Sequence, residues 1–112
     1  MITKSFMKDG IPTVVPKDVL NLKDISLIDV RMPDEYIGEL GHIERAQLST
    51  LGPELETFLQ TANKEVPIIF VCRSGARSGK ATATALALGF ANVYNMEGGM
   101  LAWNSLALPI SK

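Results

Sequence analysis

Short apolar runs alternate with amphipathic segments along this chain. Residues 26–30 and 67–71 are apolar on both faces of a strand, and residues 92–95 form a third, shorter run. Continuous apolar runs are typical of parallel strands that are covered on both sides. Because helical segments separate these strands, the pattern predicts an α/β fold with a mainly parallel central sheet.

Two longer helices are predicted between the strands. Residues 53–62 place Leu55 and Leu59 on one apolar face. Residues 79–88 form an alanine-rich helix, and Gly89 follows where a C-terminal cap is expected. The other predicted segments are short: helices over residues 16–22, 34–36 and 100–104, and a turn over residues 72–78.

Length and composition indicate one folded unit. The chain has 112 residues, of which 46% are hydrophobic and 21% charged. One domain usually takes about 100–200 residues, so residues 1–112 are expected to form a single domain. The net charge of −1 provides no overall positive field for nucleic acid. No apolar run approaches the roughly 18 residues of a membrane span. We therefore expect neither nucleic acid nor a membrane as a partner.

Cysteine usage narrows the chemistry further. Cys72 is the single cysteine, which excludes an internal disulfide and any multi-cysteine metal cage. No metal-ligand cluster or nucleotide-binding fingerprint is visible, so no metal or other cofactor is expected. Residues 1–10 lack the apolar stretch of a signal peptide. The expected location is a reducing cytoplasm.

Positive charge gathers around Cys72 although the whole chain is nearly neutral. Residues 66–96 contain no acidic residue, yet Arg73, Arg77 and Lys80 lie within them. A local positive field in a neutral protein indicates a site for a small anion. The charges alone leave open the alternative that they are clustered on the surface by chance.

Cys72 directly follows a buried strand and precedes a helix, a position where open α/β folds bind ligands. A loop that closes into a helix N-terminus turns backbone N–H groups inward, and nearby cations add positive charge. Such surroundings lower the pKa of a thiol from about 8.5 to roughly 3.5–7.5. We expect Cys72 to be a thiolate nucleophile beneath an anion-binding loop, the alternative being a buried, inert thiol. The loop consists of Arg73, Ser74, Gly75, Ala76, Arg77 and Ser78.

From about residue 16 to residue 103 the chain resembles a single-domain rhodanese, a sulfurtransferase of the thiosulfate:cyanide type. The residues from Val71 to Ser78 resemble the family's catalytic loop and carry most of the specificity. One departure is that Glu44 and Arg45 stand where the family often has Pro-Gly. The shorter matching segments, in the family's order, are residues 27–31, 34–36, 41–43 with Ala46, 89–90, 93–94, 97–100 and 102–103.

The resemblance implies a three-layer rhodanese-like fold with helices on both faces of the sheet, and a ping-pong reaction. The Cys72 thiolate would attack the outer sulfur of thiosulfate, release sulfite and keep a persulfide. Cyanide, a thiol or a partner protein would then accept the sulfur. The amides of residues 73–78 would stabilise the persulfide, and Arg77 with Arg73 would bind the sulfonate end of the donor.

Two further residues are expected near the same site. Arg31 leaves the neighbouring strand end and could reach the mouth of the loop, the alternative being a surface ion pair with Asp34 or Glu35. Asp29 is expected to orient loop groups without touching the substrate. His42, the only histidine, is expected to have a structural role.

The length of the loop and the residues it contains bear on several functions other than sulfur transfer. Four residues separate Cys72 from Arg77, one fewer than in tyrosine and dual-specificity phosphatases. As the resemblance implies, this shorter ring favours sulfur transfer over phosphatase or arsenate reductase chemistry. A sulfur-carrier or protein-interaction module with little turnover on thiosulfate remains the main alternative. An inactive regulatory domain is disfavoured by the intact cysteine and loop arginines.

Overall fold

The computed structural model describes residue 2 and residues 4–112, and the strands of this part of the chain form one sheet. The strands are Phe6–Lys8 (β1), Ile11–Val14 (β2), Ser26–Asp29 (β3), Gln47–Leu48 (β4), Ile68–Val71 (β5) and Val93–Met96 (β6). Their order across the sheet is β1-β2-β6-β5-β3-β4. Only the β1–β2 pair among these strands is antiparallel, so the predicted mainly parallel sheet is confirmed.

Helices cover both faces of the sheet. They span Pro16–Leu20 (α1), Pro33–Tyr36 (α2), Pro53–Thr61 (α3), Ala76–Ala87 (α4) and Gly99–Ser105 (α5). None of the helices in the described residues is long and apolar enough to cross a membrane.

The alternating side chains of β5 divide the interior into two cores. Ile68 and Phe70 pack with residues of α3 and α4 on one face. Ile69 and Val71 pack with residues of α1 and α5 on the other, including Trp103. All four β5 side chains are buried, as expected for a central parallel strand covered on both sides. This arrangement confirms the three-layer α/β fold.

Helix α4 begins earlier than the sequence pattern predicts. The prediction placed its start at residue 79 and treated residues 72–78 as a turn, whereas the helix starts at Ala76. Gly75 adopts φ +104°, a left-handed conformation that glycine accepts readily, and it forms the N-cap. The chain therefore enters the helix within the loop, so that Arg77 and Ser78 lie on the first helical turn.

Three strands and one turn were not predicted. Strands β1 and β2 form a hairpin whose turn residues, Asp9 and Gly10, have φ of +51° and +78°. Positive φ at both central residues is the conformation favoured by the right-handed twist of a hairpin. The two-residue strand β4 pairs in parallel with β3 at the opposite edge of the sheet.

Arg45, one of the two residues that depart from the expected Pro-Gly pair, has a structural role in this chain. The Arg45 guanidinium donates hydrogen bonds to the carbonyl oxygens of Val19 and Leu22. Val19 lies in the last turn of α1, where helix carbonyls lack partners within the helix, and Leu22 lies two residues beyond its end. Arg45 thus fastens the end of α1 to the mid-chain loop.

Candidate active site

Cys72 lies at the carboxyl end of β5, between the ends of β6 and β3. Its Sγ accepts the Gly75 N–H at 3.0 Å and lies 3.2 Å from the Ser78 hydroxyl. The residue is only 1% exposed, while Arg73 and Ser74 above it are exposed. The sulfur is therefore covered by the loop, and its cover includes polar donors as well as apolar packing.

Helix α5 holds the carbonyl groups at the start of the loop. The Met100 N–H donates to the Cys72 carbonyl at 2.8 Å, and the Leu101 N–H donates to the Arg73 carbonyl at 3.0 Å. These two hydrogen bonds hold the first residues of the loop, and the Gly75 amide further along the loop is directed to the sulfur. A Cβ on Gly99 would lie 2.5 Å from both of these carbonyl oxygens, so only glycine fits there.

Asn95 on β6 joins the middle of the loop to its last residue. Its Nδ2 donates to the Gly75 carbonyl at 3.1 Å, and its Oδ1 accepts the hydroxyl proton of Ser78. The pattern of apolar positions gave no reason to select Asn95, because it marks only the end of a predicted strand. The contact arises because β6 lies beside β5 in the sheet.

Arg77 forms a bidentate ion pair with Glu35 of α2. The guanidinium nitrogens lie 2.6 and 2.8 Å from the two carboxylate oxygens. Hydrogen bonding to Arg77 is the main reason that the pKa of Glu35 falls from 4.5 to about 2. Hydrogen bonding to Glu35 likewise raises the pKa of Arg77. Glu35 was expected only as a surface partner for Arg31, and its pairing with the loop was not predicted.

Arg31 is buried in an ion pair with Asp29 and also lines a depression that it shares with Arg73 of the loop. Its Nε and Nη2 donate to the Asp29 carboxylate at 2.9 and 2.7 Å, and both side chains are almost fully buried. Further hydrogen bonds join the guanidinium to the carbonyls of Glu35 and Gly41. The physical reason is that a buried guanidinium needs a carboxylate partner, and Asp29 is two residues away at the end of β3. Asp29 correspondingly orients Arg31 instead of loop groups.

Two surface depressions flank the loop. One, of about 260 Å³, is lined on its loop side by Ser74 and Gly75 and on its sheet side by Asn95. The other, of about 280 Å³, is lined by Arg73, Glu35 and the edge of Arg31. A small molecule in either depression would lie beside the loop.

His42 lies away from the sulfur and packs against Tyr36. The two rings stack with centroids 3.7 Å apart, and Nδ1 of His42 lies 2.8 Å from the Tyr36 carbonyl oxygen. These contacts agree with the expected structural role and leave the thiol without a histidine partner among the described contacts.

Comparison with known protein families identifies the fold independently. Residues 16–106 match the family model described as a rhodanese-like domain. Thiosulfate sulfurtransferase GlpE of Pseudoalteromonas translucida is 31% identical over 88 residues, which cover 79% of this chain and 81% of that protein. An uncharacterized Synechocystis protein, slr1261, is 35% identical over 106 residues, and the chain spans 56% of its length.

Solved structures show the same architecture. A rhodanese-related protein from Thermoplasma volcanium superposes with a TM-score of 0.78 at 26% identity, covering 88% of this chain and 96% of that one. The polysulfide-sulfur transferase homodimer of Wolinella succinogenes has a TM-score of 0.71 at 33% identity, covering 87% and 77% of the respective chains.

Proposed function

Since the chain belongs to the rhodanese-like domain family, we propose that it is a sulfurtransferase that carries sulfane sulfur on Cys72. The single observation that carries the proposal is the Gly75 N–H directed at Sγ from the start of α4. An amide donor and a helix N-terminus both favour a negatively charged sulfur over a neutral one. The same two features favour the terminal sulfur of a persulfide anion.

The proposed reaction has two balanced steps. The Cys72 thiolate attacks the outer sulfur of thiosulfate, the S–S bond of the donor breaks, and its electron pair leaves with sulfite. Cys72 then carries a persulfide anion. Cyanide or a thiolate attacks the terminal sulfur, the persulfide bond breaks, and the electron pair returns to Cys72 as thiolate. No metal or redox cofactor takes part in either step.

Arg73 and Arg77 are unequally available to bind the anionic sulfur donor. The Glu35 carboxylate occupies two donors of Arg77 and places a negative charge beside its guanidinium. Arg73 is exposed on the loop, beside one of the two depressions. We therefore assign the larger share of sulfonate binding to Arg73, with Arg77 contributing its remaining donors.

The engagement of Arg77 by Glu35 also supports a second candidate function, a sulfur carrier with little turnover on thiosulfate. A dianionic donor benefits more from free arginine charge than a persulfide donor does. The similarity to a polysulfide-sulfur transferase points to the same class of donor. In this function Cys72 receives sulfur from a persulfide and delivers it to a thiol or a partner protein.

Steady-state formation of thiocyanate tests the proposal. The wild type should turn over thiosulfate with cyanide, and Cys72→Ser should lose that activity almost completely because the sulfur nucleophile is gone. Replacing thiosulfate by glutathione persulfide separates the two candidates: a carrier would accept sulfur from the persulfide and fail with thiosulfate. Turnover by Cys72→Ser at the wild-type rate would refute both.

A further inference from the structure

The hydrogen bonds around Cys72 continue through Ser78 to Asn95. Ser78 is fully buried, and its Oγ contacts both the Cys72 sulfur and the Asn95 carboxamide oxygen. Asn95 is only partly buried, and it lines the depression beside Ser74 and Gly75. A series of hydrogen bonds thus links the covered sulfur, through Ser78, to the partly exposed Asn95.

The Gly75 carbonyl determines which way the Asn95 amide faces. A carbonyl oxygen only accepts hydrogen bonds, so the group 3.1 Å from it must be the amide nitrogen of Asn95. The amide oxygen then faces Ser78. Because Oδ1 carries no proton, the hydrogen bond between the two side chains requires the hydroxyl proton of Ser78.

That requirement puts Asn95 in competition with the sulfur. A serine hydroxyl has one proton and can also accept hydrogen bonds. With a protonated thiol, S–H donates to Oγ of Ser78 while the hydroxyl proton stays on Oδ1 of Asn95. With a thiolate, the sulfur needs the hydroxyl proton itself, and the Asn95 oxygen must give it up. Water in the adjoining depression can replace it on the half-buried amide.

We propose that Asn95 is a positioning residue that competes with the Cys72 sulfur for the single Ser78 proton and thereby limits how readily the sulfur ionises. The inference rests on the proposed sulfur-transfer function and adds a residue that controls the ionisation of its nucleophile. Its hold on the Gly75 carbonyl adds a second effect, since it keeps the Gly75 amide in place above the sulfur.

Charged groups on the surrounding elements act on the sulfur as well. Arg77 of α4 interacts electrostatically with Cys72 and is paired with Glu35 of α2. Arg73 follows Cys72 directly along the chain. Other charged groups on the elements packed around β5 are the Asp29–Arg31 pair at the end of β3, the Lys8–Glu97 pair beside β6 and the exposed Lys80 of α4. Helix α3 adds Glu54 and Glu56, and helix α1 adds Lys17 and Asp18. None of these groups is altered in the variants below, so their effects cancel in the comparison.

A double-mutant cycle tests the competition through the pH dependence of Cys72 alkylation by iodoacetamide. Asn95→Ala should lower the midpoint of the pH–rate profile by about half to one pH unit, the equivalent of one ordinary hydrogen bond. Ser78→Ala should raise the midpoint, because the thiolate loses a donor. In the Ser78→Ala background, Asn95→Ala should produce no downward shift, since no proton is left to compete for.

Asn95→Asp provides a second variant with the opposite sign. A carboxylate holds the hydroxyl proton more strongly, so the midpoint should rise more when Ser78 is present than in the Ser78→Ala background. Asn104→Ala is the matched control, because Asn104 is a half-buried amide that binds backbone carbonyls of Leu40 and Met100 away from the sulfur. It should reduce stability and leave the midpoint unchanged.

Equal midpoint shifts for Asn95 variants with and without the Ser78 hydroxyl would overturn the inference, as would the absence of any shift. Alkylation requires no sulfur donor, so this result is independent of the proposed reaction. If the cycle behaves as expected while thiosulfate and persulfides leave no sulfur on Cys72, the proposed function fails and the competition stands.

Discussion

Single residues around the sulfur are held in oppositely charged pairs. Arg31 and Asp29 form a buried pair below the loop, and Arg77 and Glu35 form a partly exposed pair beside it. Removing one partner of a buried pair leaves an uncompensated charge, which typically costs about 3–5 kcal/mol. We therefore expect the buried pair to hold the end of β3 in place. The partly exposed pair restrains the loop and contributes less to the free energy of unfolding.

Glu35→Gln should destabilise the protein in a pH-dependent way. The folded-state pKa of Glu35, about 2, lies below its ordinary value of 4.5, so folding favours the charged carboxylate. Its contribution to the free energy of unfolding is present above pH 4.5 and is lost as the pH falls towards 2. Because Arg77 is about one-third exposed, we expect a loss of only about 1 kcal/mol at pH 7. Urea unfolding at pH 7 and near pH 2 measures the difference.

Asp34→Asn is the control for this prediction. Asp34 is the exposed neighbour of Glu35 on α2, and its replacement removes one negative charge while leaving the pair with Arg77 intact. Its effect on the free energy of unfolding should be near zero. Equal effects of the two substitutions, or a Glu35→Gln effect that persists near pH 2, would show that the pair does not restrain the loop.

The sequence allows the nucleophile to be predicted more readily than its partners. Cys72 and the loop arginines are adjacent in the chain, so charge and position relative to a buried strand suffice to select them. Glu35 and Arg77 are 42 residues apart, and their contact depends on how the ends of α2 and α4 meet. The burial of Arg31 depends on its pairing with Asp29, which was expected to orient loop groups.

At the scale of secondary structure, the loop is fixed where the starts of two helices meet. Helix α4 begins within the loop, and the first amides of α5 bind the carbonyls of Cys72 and Arg73. Gly99 allows this close approach, since it combines φ +57° with backbone atoms 2.5 Å from a would-be Cβ. The loop conformation is thus a property of α5 as much as of the loop's own residues.

Gly99→Ala should destabilise the protein far more than Gly10→Ala does. The added Cβ would displace α5 from the two carbonyls, for an expected loss of about 3 kcal/mol in the free energy of unfolding. Gly10→Ala is matched to it, because Gly10 also has positive φ but has open space around its Cβ position. It should lose only about 1 kcal/mol from backbone strain. Urea unfolding gives both values, and similar losses would contradict the close contact.

Periodicity predicts the long buried elements and overlooks the short strands β1, β2 and β4. Strand β5 and helix α3 lie within one residue of their predicted bounds because their burial imposes a clear pattern. Strand β1 is exposed throughout, so it has no apolar alternation to detect. The Asp9–Gly10 pair was the available signal for the hairpin, since such pairs favour two-residue turns. The start of α4 was missed because Gly75 was treated as loop.

At the scale of the whole molecule, the central sheet is shared by both cores. Each β5 side chain belongs to one core or the other, so the packing of both cores holds this strand in place. Cys72 belongs to the core beneath α3 and α4, and Trp103 to the core beneath α1 and α5. The sulfur site therefore depends on the integrity of the entire sheet.

Unfolding should accordingly be a single cooperative transition. Trp103 is the only tryptophan and Cys72 the only cysteine, so tryptophan fluorescence and thiol protection report on opposite cores. In a urea titration, both signals and far-UV circular dichroism should have the same midpoint. Thiol exposure well before the loss of fluorescence would mean that the α3–α4 side opens on its own.

Mass spectrometry of the intact protein after exposure to thiosulfate tests the central claim most directly. The wild type should gain the mass of one sulfur atom on Cys72 and lose it again when cyanide is added, while Cys72→Ser should gain nothing. A wild-type protein that stays unmodified with both thiosulfate and a persulfide donor, or a Cys72→Ser variant that gains the same mass, would contradict the account.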